Sequence, residues 1–342
     1  MKLGLLFTGA SPITEIVSVG RCAELAGFSS LYMVEAYRSA WVPLMALANA
    51  TSRVRLGPYV LNGYARSPLL AGMTAVDFNE FSGGRLVLGV GGGNRIINEQ
   101  WQGIPHARVL SKMTEYVSLL QQIARTHPGD RLDFTGKVHR MQWSPVTDPG
   151  PRPFPVYLAA IFPKMLKVAA QIADGIAGGA TLSADYLRSE ARPAAARYAA
   201  EAGRVGDNLC WTAVAFTAVD ADRERARRVA RAALCHLFAP LPHPYYEFTM
   251  REQGFGATVD TLVAAVPSGN MDAAIDAIPD ELIDRLTIAG TPAECHARLR
   301  AYDGLVDELI LCNVLPNATP NQPDAYAALL DLARDAALST NC

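Results

Sequence analysis

Eight short apolar runs, each followed by a longer amphipathic stretch, predict an α/β fold, a (β/α)8 TIM barrel. Two further observations support that architecture. The chain's 342 residues exceed the ~250 that such a barrel needs, and the surplus falls in two irregular insertions and a terminal helix. The stretch after the first run, Thr8-Gly9-Ala10-Ser11-Pro12, is not the glycine-rich fingerprint that a doubly wound open sheet, the competing architecture, usually carries there. The insertions, about residues 127–155 and 239–280, follow the fourth and seventh strands, and residues 1–342 read as a single domain.

Leu3–Phe7 has the length and apolarity of a buried strand. Ile16, Val19, Ala23 and Ala26 then fall on one helical face, and Gly27 closes that helix. Ser30–Val34 and Trp41–Ala50 form the second strand–helix pair, and Val54–Val60 with Pro68–Phe81 the third. Leu86–Val90 begins the fourth pair, which a helix over about Arg108–Arg125 completes. In the first insertion, Leu132 to Arg140 reads as a hairpin around Gly136. Val156–Ala159 precedes a helix over Pro163–Ile172 opened by its proline. Gly175–Ala177 precedes a long Ala-rich helix, Ser183–Ala202. Cys210–Val219 leads into a helix over Asp220–Phe238, with Asp220 as the expected N-cap. The second insertion is dense in Pro, Gly and aromatics, and reads as irregular. Leu282–Ala289, Pro292–Tyr302, Asp307–Cys312 and a last helix over Asp324–Ala337 finish the chain.

Composition bounds the function. A hydrophobic fraction of 50% and a charged fraction of 19% belong to a compact globular chain. A net charge of -2 gives no electrostatic case for nucleic acid or an anionic membrane. No window approaches the ~20 apolar residues that span a bilayer. Six cysteines with no Cys-x-x-Cys pair point to reduced thiols rather than a disulfide framework or zinc site. Together these predict a cytoplasmic protein acting on a small molecule.

Phosphate-loop, His-Glu-x-x-His and Gly-x-Ser-x-Gly motifs are all absent from the sequence. The C-terminal ends of barrel strands form the active face. On that rule the site collects Glu35, Tyr59 to Asn62, Gly91 to Asn98, Ala159 to Phe162 and Gly178 to Thr181. Nearly all of these offer backbone amides or small surfaces. Such a site binds a large flat cofactor and lets it carry the chemistry. Glu35 could relay a proton if burial raised its pKa, and Glu99 is the second candidate general acid. Tyr37, Trp41, Trp101 and the aromatics near Tyr245 are candidates to line a substrate pocket. His106, His236 and His243 carry no spacing that assigns them a role.

Two segments carry a family resemblance: Leu56-Gly57-Pro58-Tyr59-Val60-Leu61-Asn62-Gly63-Tyr64-Ala65-Arg66-Ser67-Pro68 and Glu80-Phe81-Ser82-Gly83-Gly84-Arg85-Leu86-Val87-Leu88-Gly89-Val90-Gly91. With Pro155-Val156-Tyr157-Leu158-Ala159-Ala160, they resemble the bacterial luciferase-like flavin and deazaflavin superfamily. Asp280-Glu281-Leu282-Ile283-Asp284 and Ile288-Ala289-Gly290-Thr291-Pro292-Ala293-Glu294 are similar to its methylenetetrahydromethanopterin reductase branch, which uses coenzyme F420. The resemblance implies a cofactor lying across the strand ends, F420 or, alternatively, FMN. It also implies a bulge after the third strand with a cis peptide, here Tyr59–Val60, backing the ring. Tyr59, Val60, Leu61 and Asn62 would form that backing, and Asn98 would hydrogen-bond the ring's polar edge. The amides of Ala160, Ile161 and Phe162, with Gly178, Gly179 and Lys164, would hold the phosphate-bearing tail. Family members often carry Asp-His after the second strand; Glu35-Ala36 departs from this and removes the histidine. The implied activity is hydride transfer between F420 and a small organic substrate. An FMN-dependent monooxygenase is the alternative, and a barrel without catalytic function the lesser one. A homodimer through the helices beside strands two and three is also implied.

Overall fold

The computed structural model describes residues 1–148, 150, 153–204, 209–315 and 323–339. Twelve strands are present among them. β1 (Lys2–Phe7), β2 (Ser30–Met33), β3 (Arg55–Pro58), β4 (Leu61–Asn62) and β5 (Leu88–Gly91) come first. β6 (Leu132–Thr135) and β7 (Arg140–Trp143) form a separate antiparallel hairpin, where the sequence placed one. β8 (Val156–Ala159), β9 (Gly175–Ala177), β10 (Cys210–Val219), β11 (Thr287–Gly290) and β12 (Glu308–Asn313) complete the set.

The main sheet runs β3-β2-β1-β12-β10-β9-β8-β5-β4, with every pair parallel, and a parallel bridge between Leu56 and Leu86 joins its two ends. β3 and β4 are two pieces of one barrel strand, so the closed ring has eight strands, as expected. β11 pairs only with the far end of β10 and lies outside the ring.

Alternation along these strands makes two cores. One set of side chains faces the helices, where Leu5, Leu31, Leu56, Leu88 and Val156 pack against Leu44, Leu47 and Leu120. Removing a fully buried leucine such as Leu47 would cost about 2–5 kcal/mol. The other set fills the barrel: Leu6, Tyr32, Tyr59, Val87, Tyr157 and Ile310. The barrel floor is polar. Glu308 accepts from Tyr32 Oη at 2.9 Å, from Ser29 Oγ at 2.8 Å and from Ser30 Oγ. Gly4 leaves room for that cluster, since a Cβ there would lie 2.6 Å from Ser30 Oγ.

Four expectations are corrected. The helix after β10 spans Arg223–Cys235 and is capped by Asp222, whose carboxylate accepts from Arg225 N at 3.1 Å. Asp220 lies two residues too early and instead accepts from Asp222 N. The long helix over Ser183–Ala202 is interrupted by a widened π turn at Leu187–Ala191, just ahead of Pro193, which has no N–H to offer the preceding turn. Leu282–Ala289 divides into a helix, Asp280–Leu286, and β11.

The second insertion is mostly helical rather than irregular, with helices Pro244–Glu252, Gly256–Ala265 and Met271–Asp276. Gly254 (φ 91°) and Gly269 (φ 81°) reverse the chain between them, a conformation that disfavours other residues. Met250, Leu262 and Ile275 bury against Ala230 and Leu234 of the Arg223–Cys235 helix. Arg227 of that helix is fully buried, and donates to Asp284 at 2.6 Å and Asp280 at 2.9 Å. The C-terminal motif has a structural reason too. Thr291 and Glu294 form a capping box, and a Cβ on Gly290 would lie 2.5 Å from Glu294 Oε2.

Candidate active site

The third barrel strand breaks where the family resemblance implied a bulge. β3 ends at Pro58, the Tyr59–Val60 peptide is cis, and β4 resumes at Leu61. The bulge leans on the neighbouring strand, and that contact explains the glycines there. A Cβ on Gly57 would lie 1.7 Å from Val87 O, one on Gly89 2.6 Å from Pro58 O, and one on Gly91 2.8 Å from Val60 Cγ2. The Gly89-Val90-Gly91 pattern therefore makes room for protein, not for a phosphate. The Tyr59 side chain turns into the barrel, with Oη 2.9 Å from both Gly178 O and Thr212 Oγ1 and its ring edge-on to Tyr32. Burial pushes its phenol up, so it stays protonated.

Asn62, at the end of the bulge, starts a chain of side chains around the rim. Asn62 Oδ1 accepts from Tyr64 N at 3.0 Å, which leaves its Nδ2 to donate to Asn98 Oδ1 at 2.7 Å. Asn98 Nδ2 then donates to Gly92 O and to His106 Nδ1, each at 2.8 Å. Asn98 is fully buried, and each end of its amide is engaged within the protein. It holds Asn62 and His106 in place. His106 stacks on Tyr64 with centroids 4.9 Å apart, and burial lowers its pKa.

Asn94, four residues earlier on the same loop, repeats the arrangement. Its Oδ1 accepts from Ile96 N at 2.7 Å, and its Nδ2 donates to Pro242 O at 3.1 Å and His243 Nδ1 at 3.0 Å. The backbone thus fixes both amides, and each presents a donor to a histidine Nδ1. Both imidazoles must carry their proton on Nε2. Burial, with no neighbouring charge, pushes His243 down to about 4. His243 also ties the second insertion to the barrel mouth. Further along, Thr181 Oγ1 meets Thr249 Oγ1 at 2.5 Å, and Gln253 bonds both Thr181 O and Ser183 N.

The two carboxylates are both paired. Glu35 accepts from Arg66 Nη1 at 2.7 Å and from Asn62 N at 3.3 Å, joining the bulge to the loop after β2. Glu99 sits on the exposed side of its turn, where its hydrogen bond with Arg95 lowers its pKa.

On the opposite side of the mouth, Ala160 N donates weakly to Ala177 O at 3.4 Å. Among the described residues, the amides of Ile161, Phe162 and Gly179 take no partner, and the helix Pro163–Ile172 has no side-chain cap. Gly178 and Gly179 are also packing positions. A Cβ would lie 2.6 Å from Thr212 O at the first and 2.5 Å from Ile161 Cδ1 at the second. The Phe162 ring meets Phe248 of the insertion at a tilt, and Tyr37 and Trp101 pair on the exposed rim with centroids 5.6 Å apart. The open amides and the absence of acidic side chains among Ala160–Lys164 suit an anionic tail.

A cavity of about 640 Å³ lies at the other end of the barrel, beside Leu209, Trp211 and Leu305. Its arginines are committed elsewhere: Arg192 bonds Leu305 O, Arg204 bonds Ala173 O and Arg188 bonds Asp185. The mouth, not this cavity, is where strand ends converge.

The strand-end rule collected Asn62, Asn98 and the open amides, and the family resemblance supplied the bulge. Asn94 fell within the stretch Gly91 to Asn98 assigned to the site but received no role, and Thr212, His106 and His243 were not assigned to it. Asn94 and His243 are 149 positions apart, and no local signal links them.

Residues 1–308 match the family described as luciferase-like monooxygenase. The chain is 30% identical over 302 residues to a 5,10-methylenetetrahydromethanopterin reductase of Archaeoglobus fulgidus, covering 87% of this chain and 89% of the relative. It is 31% identical over 313 residues to a putative coenzyme F420-dependent oxidoreductase of Mycobacterium tuberculosis, covering 85% and 88%. The coenzyme F420-dependent tetrahydromethanopterin reductase from Methanopyrus kandleri superposes with a TM-score of 0.79 at 21% identity, over 97% of each chain. The oxygenating constituent of a 3,6-diketocamphane monooxygenase from Pseudomonas putida, in complex with FMN, does so at 0.68 and 15% identity, over 98% and 96%.

Proposed function

The chain belongs to the luciferase-like monooxygenase family, and from that premise we propose that it is an F420-dependent oxidoreductase acting on a small organic substrate. The observation that carries this reading is the composition of the barrel mouth. Its walls are backbone and small side chains, and its carboxylates Glu35 and Glu99 are tied to Arg66 and Arg95. Its two rim histidines, His106 and His243, accept at Nδ1. A mouth of this kind leaves the redox chemistry to a bound cofactor. The Mycobacterium tuberculosis relative and the Methanopyrus kandleri reductase are both F420-dependent by name, which favours F420 over FMN.

When bound, F420 would supply or accept the hydride. The protein's part is to hold it. Tyr59, Val60, Leu61 and Asn62 form the back wall, and Asn98 acts on the ring's polar edge through Asn62. The open amides of Ile161, Phe162 and Gly179, with Ala160, Gly178 and Lys164 beside them, take the anionic tail. Glu35 fixes the Asn62 amide and is the nearer of the two candidate proton carriers; Glu99 is the outer one.

Val42, Met45, Leu70, Met73 and Phe81 are exposed on the helices Trp41–Ala50 and Pro68–Phe81. Such a surface supports a homodimer through these helices. The five described cysteines are free, which favours a reducing cytoplasm.

Thermal unfolding with each cofactor tests the reading. A ligand at 100 times its Kd stabilises the folded chain by about 2.7 kcal/mol. F420 should raise Tm by several degrees and FMN should not; the reverse pattern would favour the monooxygenase.

A further inference from the structure

His243 reaches the mouth from the second insertion and is held there from two sides. Asn94 Nδ2 lies 3.0 Å and Tyr245 Oη 2.5 Å from its Nδ1. Its ring packs edge-on to Tyr246 at 5.3 Å, and Tyr246 in turn packs against the barrel interior and stands 3.4 Å from a Cβ on Gly179. The imidazole therefore spans from the loop after β5 towards the loop after β9. Because Ile96 N and Pro242 O fix the Asn94 amide, Nδ1 is the acceptor and Nε2 carries the proton. Among the described residues Nε2–H has no partner, and no ion pair or charged side chain contacts the ring.

A histidine that served only to latch the insertion would need Nδ1 alone. Here the second nitrogen is left as an oriented donor in an uncharged, aromatic setting.

We propose that His243 Nε2–H is the substrate-facing hydrogen-bond donor of this site, holding the carbonyl oxygen of an uncharged substrate as a neutral imidazole. A neutral donor favours a lone pair on which negative charge develops, and gives nothing to a cation. The assignment rests on the oxidoreductase reading for the reaction it would serve, but its geometry belongs to the chain alone.

The test is two-bond ¹H–¹⁵N correlation of the full chain labelled at histidine, without cofactor, titrated with butanone. Butanone is small enough that its entry does not depend on the substrate's shape. His243 should show a bare Nδ1 and a protonated Nε2 at neutral pH, and its Nε2–H should shift saturably with butanone. Asn94→Asp, which replaces the donor by an acceptor of the same size, should move the proton to Nδ1 and weaken the response tenfold or more. A wild-type Nδ1–H tautomer would overturn the proposal. So would an Nε2–H that moves no more than that of exposed His127. Failure of the wild-type chain to bind F420 by fluorescence sinks the cofactor reading instead; F420 binding with an unresponsive His243 sinks only this one.

Discussion

Asn62 Nδ2 donates to Asn98 Oδ1 at 2.7 Å, and Asn98 has no exposed surface of its own. The residue expected to touch the cofactor thus stands behind Asn62. Asn98→Ala would leave Asn62 Nδ2, Gly92 O and His106 Nδ1 without their partner. Each buried polar group left unpaired costs about 1–3 kcal/mol, and relaxation makes the total smaller than the sum. The urea midpoint should therefore fall by the equivalent of about 2–4 kcal/mol. Asn98→Asp keeps the acceptor for Asn62 and loses the donors, and should fall between wild type and Asn98→Ala in both stability and F420 affinity.

The bulge and its glycines make a second case. A methyl on Gly91 would lie 2.8 Å from Val60 Cγ2, so Gly91→Ala should destabilise by about 1–3 kcal/mol, the usual cost of overpacking. Val60→Ala removes the clashing methyl. The double variant should recover part of that loss, and a thermodynamic cycle on the four proteins should give a coupling of at least about 0.5 kcal/mol. Additive effects would show that Val60 does not rest on this strand.

His243 should give the chain an acid-sensitive step. Its folded pKa is pushed down to about 4, while an unfolded histidine titrates near 6.5. Between those values the unfolded chain takes up a proton that the folded chain refuses, so stability falls as pH drops from about 6.5 to about 4 and levels off below. The ring is partly exposed, so the loss is on the order of 2 kcal/mol. His243→Gln cannot titrate. Urea midpoints from pH 7 to pH 4 should slope less steeply for it than for wild type, and equal slopes would contradict the assignment.

The exposed helices beside the third strand set a fourth outcome. If Met73 and Phe81 are covered by a second copy, the Met73→Glu, Phe81→Lys double variant should run as a monomer by light scattering at micromolar concentration, where the wild type runs as a dimer. A wild-type monomer would remove the dimer proposal.

Much of this was legible in the sequence because local patterns carry local causes. The apolar runs gave eight barrel strands, whereas the break in the third, which reads as one run over Val54–Val60, came only from the family resemblance. Asp220 was misread because two aspartates two residues apart compete for one cap, and only backbone geometry selects Asp222. The second insertion looked irregular because Gly254 and Gly269 cut its periodicity into pieces too short to register. Leu282–Ala289 was ambiguous because a short apolar run serves a helix or a strand equally well. The Asn94–His243 and Asn98–His106 pairs were invisible for a different reason. Their meaning lies in which backbone groups fix each amide, and that is set only when distant loops meet.

We propose that this mouth binds F420. Fluorescence titration of the purified chain with F420, paralleled by FMN, tests it most directly. F420 should bind at ~1 μM or tighter, about -8 kcal/mol, and FMN at least tenfold more weakly. Tight binding of FMN with none of F420 would contradict it.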